Sequence, residues 1–492
     1  MKRNWLLSGC ILFCLGAYAQ TDKDFEEYAR EQETAFDTYV RTEEESFKAY
    51  NDSINREFGR YLAETWPDYP LSKKEPPIKD PVPPDVYEPG TPRPDPVKVP
   101  VRGEIEPPSL PLPSPHEDKR KLTPVPVEVP ALKVDFYGAL VSLRKASYAL
   151  PALAGVDEKA VSTYWNHLSR LPYMEWVGSV LACKDDLSLN DWGMYQLINH
   201  VFTAYFPRRS TNEQVVFTVF TLNQMGYRAK IGRVRQDLFP LIAFGCNVSN
   251  TVFFRYGNEQ SVVYTVVNAG HKDLTSIQTC RMEYGGATKR FDMSLDVAPA
   301  LGDHSQTKVL RDKQRSYTLQ YHPGYSRFLE TYPCVDFNYY AEAALSKAFW
   351  ESVQQQITPV LKGLTQEEAV NTLLHFAQYA FQYKTDGDQF GYEHFFFPEE
   401  TIASAYSDCE DRAILFSQLV RRLLGMKVVL LYYPGRHLAA AVRFDNPATR
   451  GDYVLVDGQK YLVCDPTYIG ASLGMGMPDL MEVPIEVVKL KD

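Results

Sequence analysis

The stretch YSDCEDRAILFSQLVRRLLG (406–425), followed by VVLLYYPGRHLAAAVRF (428–444) and YLVCDPTY (461–468), decides the fold predicted for this chain. The first part has apolar residues at helical spacing up to Gly425. The other two are apolar runs typical of strands, and the Asp457-Gly458 dipeptide between them favours a two-residue hairpin turn. The pattern predicts a helix packed on an antiparallel sheet, which is an α+β arrangement.

A cysteine lies where this helix should begin. Ser407 and Glu410 have the spacing of a capping box just before the apolar residues, which places Cys409 in the first turn. A thiol with an ordinary pKa of about 8.5 is mostly protonated at neutral pH, and only the thiolate attacks. The unpaired N–H groups of a helix N-terminus favour a thiolate and can hold an oxyanion. We therefore predict that Cys409 is a nucleophile.

A histidine and an aspartate follow at the ends of predicted strands. His437 begins the strand 437–444, where a fixed backbone could aim its ring at the sulfur as a general base. Asp465 ends the next strand but one, where it could hold the second ring nitrogen and fix the tautomer. Cys409, His437 and Asp465 thus form a predicted catalytic triad.

These motifs resemble the transglutaminase-like superfamily of papain-like fold. The Ser-Asp-Cys-Glu-Asp-Arg-Ala run, the His437 strand and the Asp-Pro-Thr-Tyr run occur in the family's order, over about residues 335–480. The chain is most similar to the bacterial transglutaminase-like cysteine proteinases, which share the Asp-Cys-Glu-Asp run. The resemblance implies Cys409 as nucleophile, His437 as base and Asp465 as the orienting acid.

Each triad residue also has a plainer interpretation. A cysteine in a helix is often a small buried hydrophobe, although the four charged residues around Cys409 argue against a core position. His437 could be a surface loop residue, and Asp465 before a proline could simply end a strand.

Other side chains are candidates for the cleft around the triad. Papain-like enzymes use an upstream side chain as a second oxyanion donor, and the candidates are Gln378, Gln382 and Gln389. Tyr406 could line the substrate cleft. Tyr468 could do the same or pack beneath Asp465.

No cofactor is required by this chemistry, but a cation is possible. Some relatives bind Ca²⁺ through acidic residues that flank the nucleophile, and Asp408 and Glu410 match that arrangement. Two carboxylates are fewer than the six or more oxygens that Ca²⁺ prefers. The alternative is that they cap the helix and pair with Arg412.

Composition and the first residues indicate an exported, acidic protein. The formal net charge is −10, which argues against nucleic acid or anionic lipid as a partner. Residues 1–19 have Lys2-Arg3, an apolar run and an Ala-x-Ala site, which predicts a signal peptide and a periplasmic or cell-surface location. An alternative lipidation site at Cys10 has few residues before it. Export permits disulfides among the six cysteines that remain, without assigning them.

Residues 20–66 predict an amphipathic helix with an 11-residue repeat. An F-x-x-Y pair occurs four times, the last as Phe58 and Tyr61, and 11 residues make three helical turns. Such a stripe must be buried against something. The partner could be an envelope component, a second copy of the chain or the chain's own body.

Residues 67–130 hold 20 of the 34 prolines, which predicts an extended polyproline-like linker. As a spacer it would hold the catalytic body away from whatever the helix binds. A proline-rich ligand for a binding domain is the alternative.

Residues 131–330 predict a second α+β domain before the catalytic domain at 331–492. A helix ending at Gly226 and two following strands repeat the order of the elements around Cys409. Counting from the glycines, Ser210 or Asn212 takes the place of the cysteine and Leu238 that of the histidine. The hypothesis is a degenerate duplicate, and the alternative is an unrelated α+β domain.

These observations predict an exported thiol enzyme that acts on a protein or peptide amide through an acyl-enzyme on Cys409. The family resemblance favours a cysteine peptidase or amidase over an acyltransferase, but the sequence does not decide whether water or an amine is the acceptor. The alternative function is a non-catalytic scaffold or binding protein of the cell envelope with the same fold.

Overall fold

The structure is a computed structural model that describes residues 48–89, 95–107, 131–144, 148–257, 261–270 and 274–491. The predicted signal peptide, the first two aromatic pairs and residues 108–130 of the proline-rich segment lie outside the described residues. The chain divides into two compact units, residues 1–57 and residues 58–492. In the first unit, residues 48–57 are helical.

The second unit is mixed α and β, which confirms the predicted α+β class. Its α-helices are α1 (Glu158–Leu168), α2 (Tyr173–Asp186), α3 (Asp191–Tyr205), α4 (Thr211–Gln224), α5 (Pro323–Leu329), α6 (Phe337–Glu342), α7 (Lys347–Leu361), α8 (Gln366–Tyr379), α9 (Asp386–Gln389), α10 (Pro398–Ala403) and α11 (Cys409–Leu424). None of the described helices is both long enough and apolar enough to cross a membrane.

The strands form two main sheets and several short pairs. In chain order they are β1 (Asp68–Pro70), β2 (Ser72–Lys74), β3 (Asp85–Val86), β4 (Val101–Ile105), β5 (Ala131–Phe136), β6 (Ala139–Arg144), β7 (Ala229–Val234), β8 (Asp237–Ile242), β9 (Thr251–Tyr256), β10 (Val262–Val266), β11 (Ser276–Thr279), β12 (Gln306–Arg311), β13 (Ser316–Tyr321), β14 (Gln382–Tyr383), β15 (Tyr406–Ser407), β16 (Val428–Tyr433), β17 (His437–Arg443), β18 (Tyr453–Val456), β19 (Gln459–Cys464), β20 (Tyr468–Ile469) and β21 (Ile485–Val488).

The two main sheets share one strand order. The first sheet has the order β1-β11-β7-β8-β10-β9-β2. The second sheet, read from its β4 edge, has the order β4-β21-β16-β17-β19-β18. The two orders correspond strand by strand, and the first sheet has β2 in addition. In each sheet a helix leads into two antiparallel strands, the fourth strand pairs with the second, and the third lies outside the fourth. The fifth strand pairs with the first, antiparallel in both sheets. The preceding helix, α4 or α11, packs on the first two strands.

The sequence explains why α11 stands where it does. Its apolar residues from Ala413 to Val420 are buried, and Gly425 ends the helix with φ of 64°, a conformation that glycine adopts without strain. The predicted hairpin turn at Asp457-Gly458 is confirmed, since both residues have positive φ between β18 and β19. These two features fix the end of the helix that begins at Cys409 and the start of β19, the strand that leads to Asp465.

The interpretation of residues 67–130 as a free spacer is wrong for the part that the structure describes. The segment is extended, as its prolines require, but it lies along the body and adds strands to it. β1 and β2 pair with β11 and β9 of the first sheet, and β4 pairs with β21 of the second. Strand edges offer unpaired backbone groups, and an extended chain can bind them wherever a proline does not remove the donor.

The fourth aromatic pair docks within the chain itself. Phe58 is 3% exposed, and its ring lies 5.0 Å from that of Trp165 and 5.4 Å from that of Tyr284. Among the three predicted partners of the aromatic stripe, the chain's own body is therefore the one found for this pair.

Candidate active site

The helix that carries Cys409 begins at that residue, but its cap differs from the predicted one. Asp408 is the N-cap, and its backbone N–H donates to the Asp411 carboxylate at 3.2 Å. Ser407 lies one residue earlier, in β15, where its hydroxyl accepts from the Arg412 guanidinium at 3.0 Å. The capping box is thus shifted by one residue, because Ser407 is held by strand pairing and by Arg412.

His437 and Asp465 form a buried hydrogen-bonded pair, as predicted. His437 Nε2 lies 2.9 Å from Asp465 Oδ2, and both side chains are almost fully buried. The other oxygen of Asp465 accepts from the backbone N–H and the hydroxyl of Thr467 at 2.9 and 2.8 Å. Burial alone would raise the pKa of Asp465, but the nearby His437 and these donors hold it below its usual value. Asp465 is therefore a fixed anion that orients the ring.

The remaining ring nitrogen of His437 has no hydrogen-bond partner. Nδ1 is buried and unpaired within the described part of the chain. A ring oriented through one nitrogen with the other unpaired is the arrangement of a general base awaiting its proton donor.

Cys409 is fully buried, contrary to the expectation that its charged neighbours would keep it out of the core. Its sulfur is close to the backbone of Leu438, the residue after His437. Its thiol donates to Glu410 Oε2 at 2.9 Å, and no hydrogen bond joins it to His437 among the described contacts. Burial first, and then the carboxylates of Glu410 and Asp408, raise the pKa of this thiol well above its ordinary value. The activating effect predicted from the helix N-terminus is outweighed here.

Three buried carboxylates meet beside this thiol. One oxygen from each of Asp386, Asp408 and Glu410 lies within 4.8 Å of the others. Each of the three side chains also has one buried oxygen without a hydrogen-bond partner, namely Asp386 Oδ1, Asp408 Oδ1 and Glu410 Oε1. Burial and then repulsion by Asp408 and Asp411 raise the pKa of Asp386 to about 11. Burial and then repulsion by Glu393 raise the pKa of Asp408 to about 7. Asp411 and Glu393 add to the negative charge around them.

The predicted pairing of these acids with Arg412 is wrong. The Arg412 guanidinium donates to the Ser407 hydroxyl and to the backbone carbonyls of Gln378 and Phe381, at 3.0 to 3.1 Å. The Cζ atom of Arg412 lies 5.5 Å from the centre of the Tyr383 ring. The arginine therefore ties the helix to the preceding segment, and none of these hydrogen bonds goes to Asp408 or Glu410.

The glutamines proposed as oxyanion donors have other partners. Gln378 Nε2 donates to the carbonyls of Asp465, Tyr468 and Ala471 at 3.3, 2.8 and 3.0 Å, so it shapes the loop after Asp465. Gln389 donates to the Lys384 carbonyl at 3.0 Å, and Gln382 is exposed in β14. Their long, flexible side chains gave no signal of these partners in the sequence.

The two tyrosines proposed for the cleft differ in exposure. Tyr406 is 37% exposed, with the Lys384 ammonium 5.2 Å from its ring. Tyr468 is 8% exposed, and its ring lies 6.1 Å from that of Tyr87 in the proline-rich segment. Tyr406 is therefore accessible to a ligand, whereas Tyr468 is covered.

Sequence reasoning missed Asp386, the residue that completes the acidic group. Asp386 is 1% exposed at the start of α9, although the segment 381–394 around it is rich in polar residues and glycine. Its backbone N–H donates to Asp408 and its carboxylate accepts from the His394 backbone. The one available signal was Thr385, a residue type favoured at helix N-caps, which caps the short helix that Asp386 begins.

The cysteines are all unpaired in the described part of the chain: Cys183, Cys246, Cys280, Cys334, Cys409 and Cys464. No family model, no curated protein and no solved structure matches this chain. The geometry of the site is therefore the basis for what is proposed about its function.

Proposed function

We propose that this protein is a thiol hydrolase that cleaves a peptide or protein amide, with Cys409 as nucleophile, His437 as base and Asp465 as orienting acid. The observation that carries the proposal is the buried His437–Asp465 pair, 2.9 Å apart, whose free ring nitrogen is unpaired. The contact between the Cys409 sulfur and the backbone of Leu438 supports it, since Leu438 is adjacent to His437.

The reaction would follow the chemistry of a thiol triad. His437 Nδ1 takes the thiol proton and the sulfur bonds to the amide carbonyl carbon. The carbon–nitrogen bond then breaks as the ring returns the proton to the leaving amine. Water, activated by the same nitrogen, splits the thioester and releases a carboxylic acid. Asp465 keeps the ring in the tautomer that has Nδ1 free.

The Cys409 thiol must first give up its hydrogen bond to Glu410. A cation bound by the Glu410 carboxylate would compete for that acceptor. Ligand oxygens 2.3–2.6 Å from one Ca²⁺ lie at most about 5 Å apart, and the oxygens of Asp386, Asp408 and Glu410 meet this limit. The three unpartnered oxygens are the donors that a hard cation takes. A Ca²⁺ held by these residues would neutralise the negative charge beside the sulfur.

A direct test is alkylation of Cys409 by iodoacetamide at pH 6, followed by mass spectrometry, in CaCl₂ and in EGTA. Cys464 is the internal control, because it is as fully buried and burial raises its pKa also. We expect Cys409 to react faster than Cys464, and faster in CaCl₂. Equal rates for the two thiols in both buffers would remove the activated nucleophile. Peptide-library cleavage that is lost in Cys409→Ala would establish hydrolysis.

We also infer that residues 131–330 contain a degenerate copy of the catalytic domain. Beyond the shared strand order, Asn212 Oδ1 accepts from the Leu238 backbone at 2.9 Å, as the Cys409 sulfur contacts Leu438. Asp237 begins β8 as His437 begins β17, so Asp237, and not the predicted Leu238, is the counterpart of the histidine in this copy. Of the two residues predicted for the cysteine position, this contact favours Asn212 over Ser210.

The rival function, a scaffold or binding protein, has one observation in its favour. The Cys409 thiol is fully buried and donates its hydrogen to the Glu410 carboxylate, so it is not a thiolate that could attack a substrate. Under this function Cys409→Ala leaves the biological effect intact, whereas deletion of residues 20–66 removes it.

A further inference from the structure

The proline-rich segment binds three parts of the chain that lie next to the predicted triad residues in sequence or in strand pairing. Gly435, in the turn before His437, donates its N–H to the Pro77 carbonyl at 3.0 Å. The Gly435 carbonyl accepts from Lys79 and Asp80 at 3.0 and 2.9 Å, and the Arg436 carbonyl accepts from Val82 at 2.9 Å. The backbone of the turn before His437 is thus bound by the segment at both Gly435 and Arg436.

The same segment continues to the chain that follows Asp465. β3 (Asp85–Val86) pairs in parallel with β20 (Tyr468–Ile469). The Tyr87 backbone N–H then donates to the Ile469 carbonyl at 2.9 Å. This contact covers Tyr468, which was predicted to line the substrate cleft.

A third contact leads to Cys409. The Val82 carbonyl accepts from the Tyr383 hydroxyl at 3.4 Å. Tyr383 in β14 pairs with Ser407 in β15, two residues before Cys409. One carbonyl of the segment is therefore bound by the strand pair that leads directly into the nucleophile.

The segment is also held by side chains that are buried or packed against the core. Ile78 is fully buried, and Val82 and Tyr87 pack on the core of the second sheet. Prolines at 77, 81, 83 and 84 hold the chain extended and remove N–H groups that would otherwise need partners. The segment binds the groove as an extended peptide would, through backbone groups and alternate side chains.

We propose that residues 77–87 are a tethered inhibitor that occupies the substrate groove, between the 434–436 turn and β20. The inference rests on the proposed function. The substrate is then an extended peptide strand that takes the places of the segment on Gly435, Arg436 and Ile469 once the segment has left. Three of the four backbone groups freed there are carbonyls, so the substrate must supply N–H donors in place of those of Lys79, Asp80, Val82 and Tyr87.

The test compares Val82→Ala/Tyr87→Ala with Val97→Ala in the full chain. Val97 packs on the same core but lies outside the segment, so Val97→Ala controls for a loss of apolar contact with that core. We expect the double variant to raise hydrogen exchange at 77–87 and the rate of Cys409 alkylation by about tenfold, with Val97→Ala near the parent rate. Faster exchange at 77–87 with an unchanged alkylation rate would overturn the proposal.

A second variant works in the opposite direction and guards against a folding defect. Val86 and Ile469 are paired residues of β3 and β20, so Val86→Cys/Ile469→Cys can form a disulfide that locks the segment. We expect the oxidised form to be alkylated at Cys409 more slowly than the reduced form. Equal rates would refute the inhibitor. If Val82→Ala/Tyr87→Ala speeds alkylation but no Cys409-dependent cleavage is found, the proposal that the segment covers the site stands. The proposed hydrolase activity is then refuted.

Discussion

Replacing Asp408 by Asn should have opposite effects on stability with and without Ca²⁺. In EGTA the Asp408 carboxylate is buried among other acids, and its pKa rises from 3.8 to about 7 on folding. The folded state therefore binds the Asp408 proton more tightly than the unfolded state does. The stability that this proton gives the folded state is fully present below pH 4 and is lost as the pH rises through 7. At 1.36 kcal/mol per pH unit, the loss is on the order of 4 kcal/mol.

Asn keeps the shape and one acceptor oxygen for the Asp386 backbone N–H but carries no charge. In EGTA we expect Asp408→Asn to raise the free energy of unfolding by roughly 3 kcal/mol more at pH 8 than at pH 5. In CaCl₂ at pH 8 the variant should be the less stable protein, because it lacks a carboxylate ligand.

Urea unfolding in the two buffers at both pH values measures these differences. Asp388→Asn is the control, because Asp388 lies in α9, two residues from Asp386 of the acidic group, but is exposed. A variant that loses stability equally at pH 5 and pH 8 in EGTA would refute the reasoning. Such a result would mean that Asp408 is satisfied by contacts and not repelled by its neighbours.

Three further substitutions test other parts of the structure. Asp465→Asn leaves the ring of His437 in the wrong tautomer and should slow any Cys409-dependent hydrolysis on the order of a thousandfold, measured as kcat. Gln378→Ala strips the donor from three carbonyls and should cost about 2–4 kcal/mol in urea unfolding, against under about 1 kcal/mol for Gln389→Ala. Phe58→Ala should cost about 3–5 kcal/mol, whereas Tyr50→Ala, at an exposed position, should change stability by less than about 0.5 kcal/mol. An equal effect within either pair would contradict the contacts described for Gln378 and Phe58.

The sequence was sufficient for features that depend on neighbours along the chain. The helix from Cys409, its end at Gly425 and the Asp457-Gly458 turn follow from periodicity and backbone preference. The His437–Asp465 pair followed because two adjacent antiparallel strands bring the start of one beside the end of the other.

Features set by distant parts of the chain were not predictable in this way. Arg412 has acids beside it in sequence, yet it donates to carbonyls of the segment before the helix. The first turn of α11 is buried on all sides, so each side chain's partner depends on what packs there. The prolines indicated an extended segment, but not the sheet edges that it would bind.

The carboxylates themselves argue that this site is kept for a ligand or a reaction. Apolar side chains of similar size would give a buried region at least the same stability, since unpaired buried charge is costly. Buried oxygens without partners are uncommon in folded proteins, and each of the three carboxyl groups that meet here has one. A site that served the fold alone would gain stability by losing them. Three carboxyl groups beside Cys409, together with the oriented ring of His437 at the start of β17, are what a cation-dependent thiol centre would require.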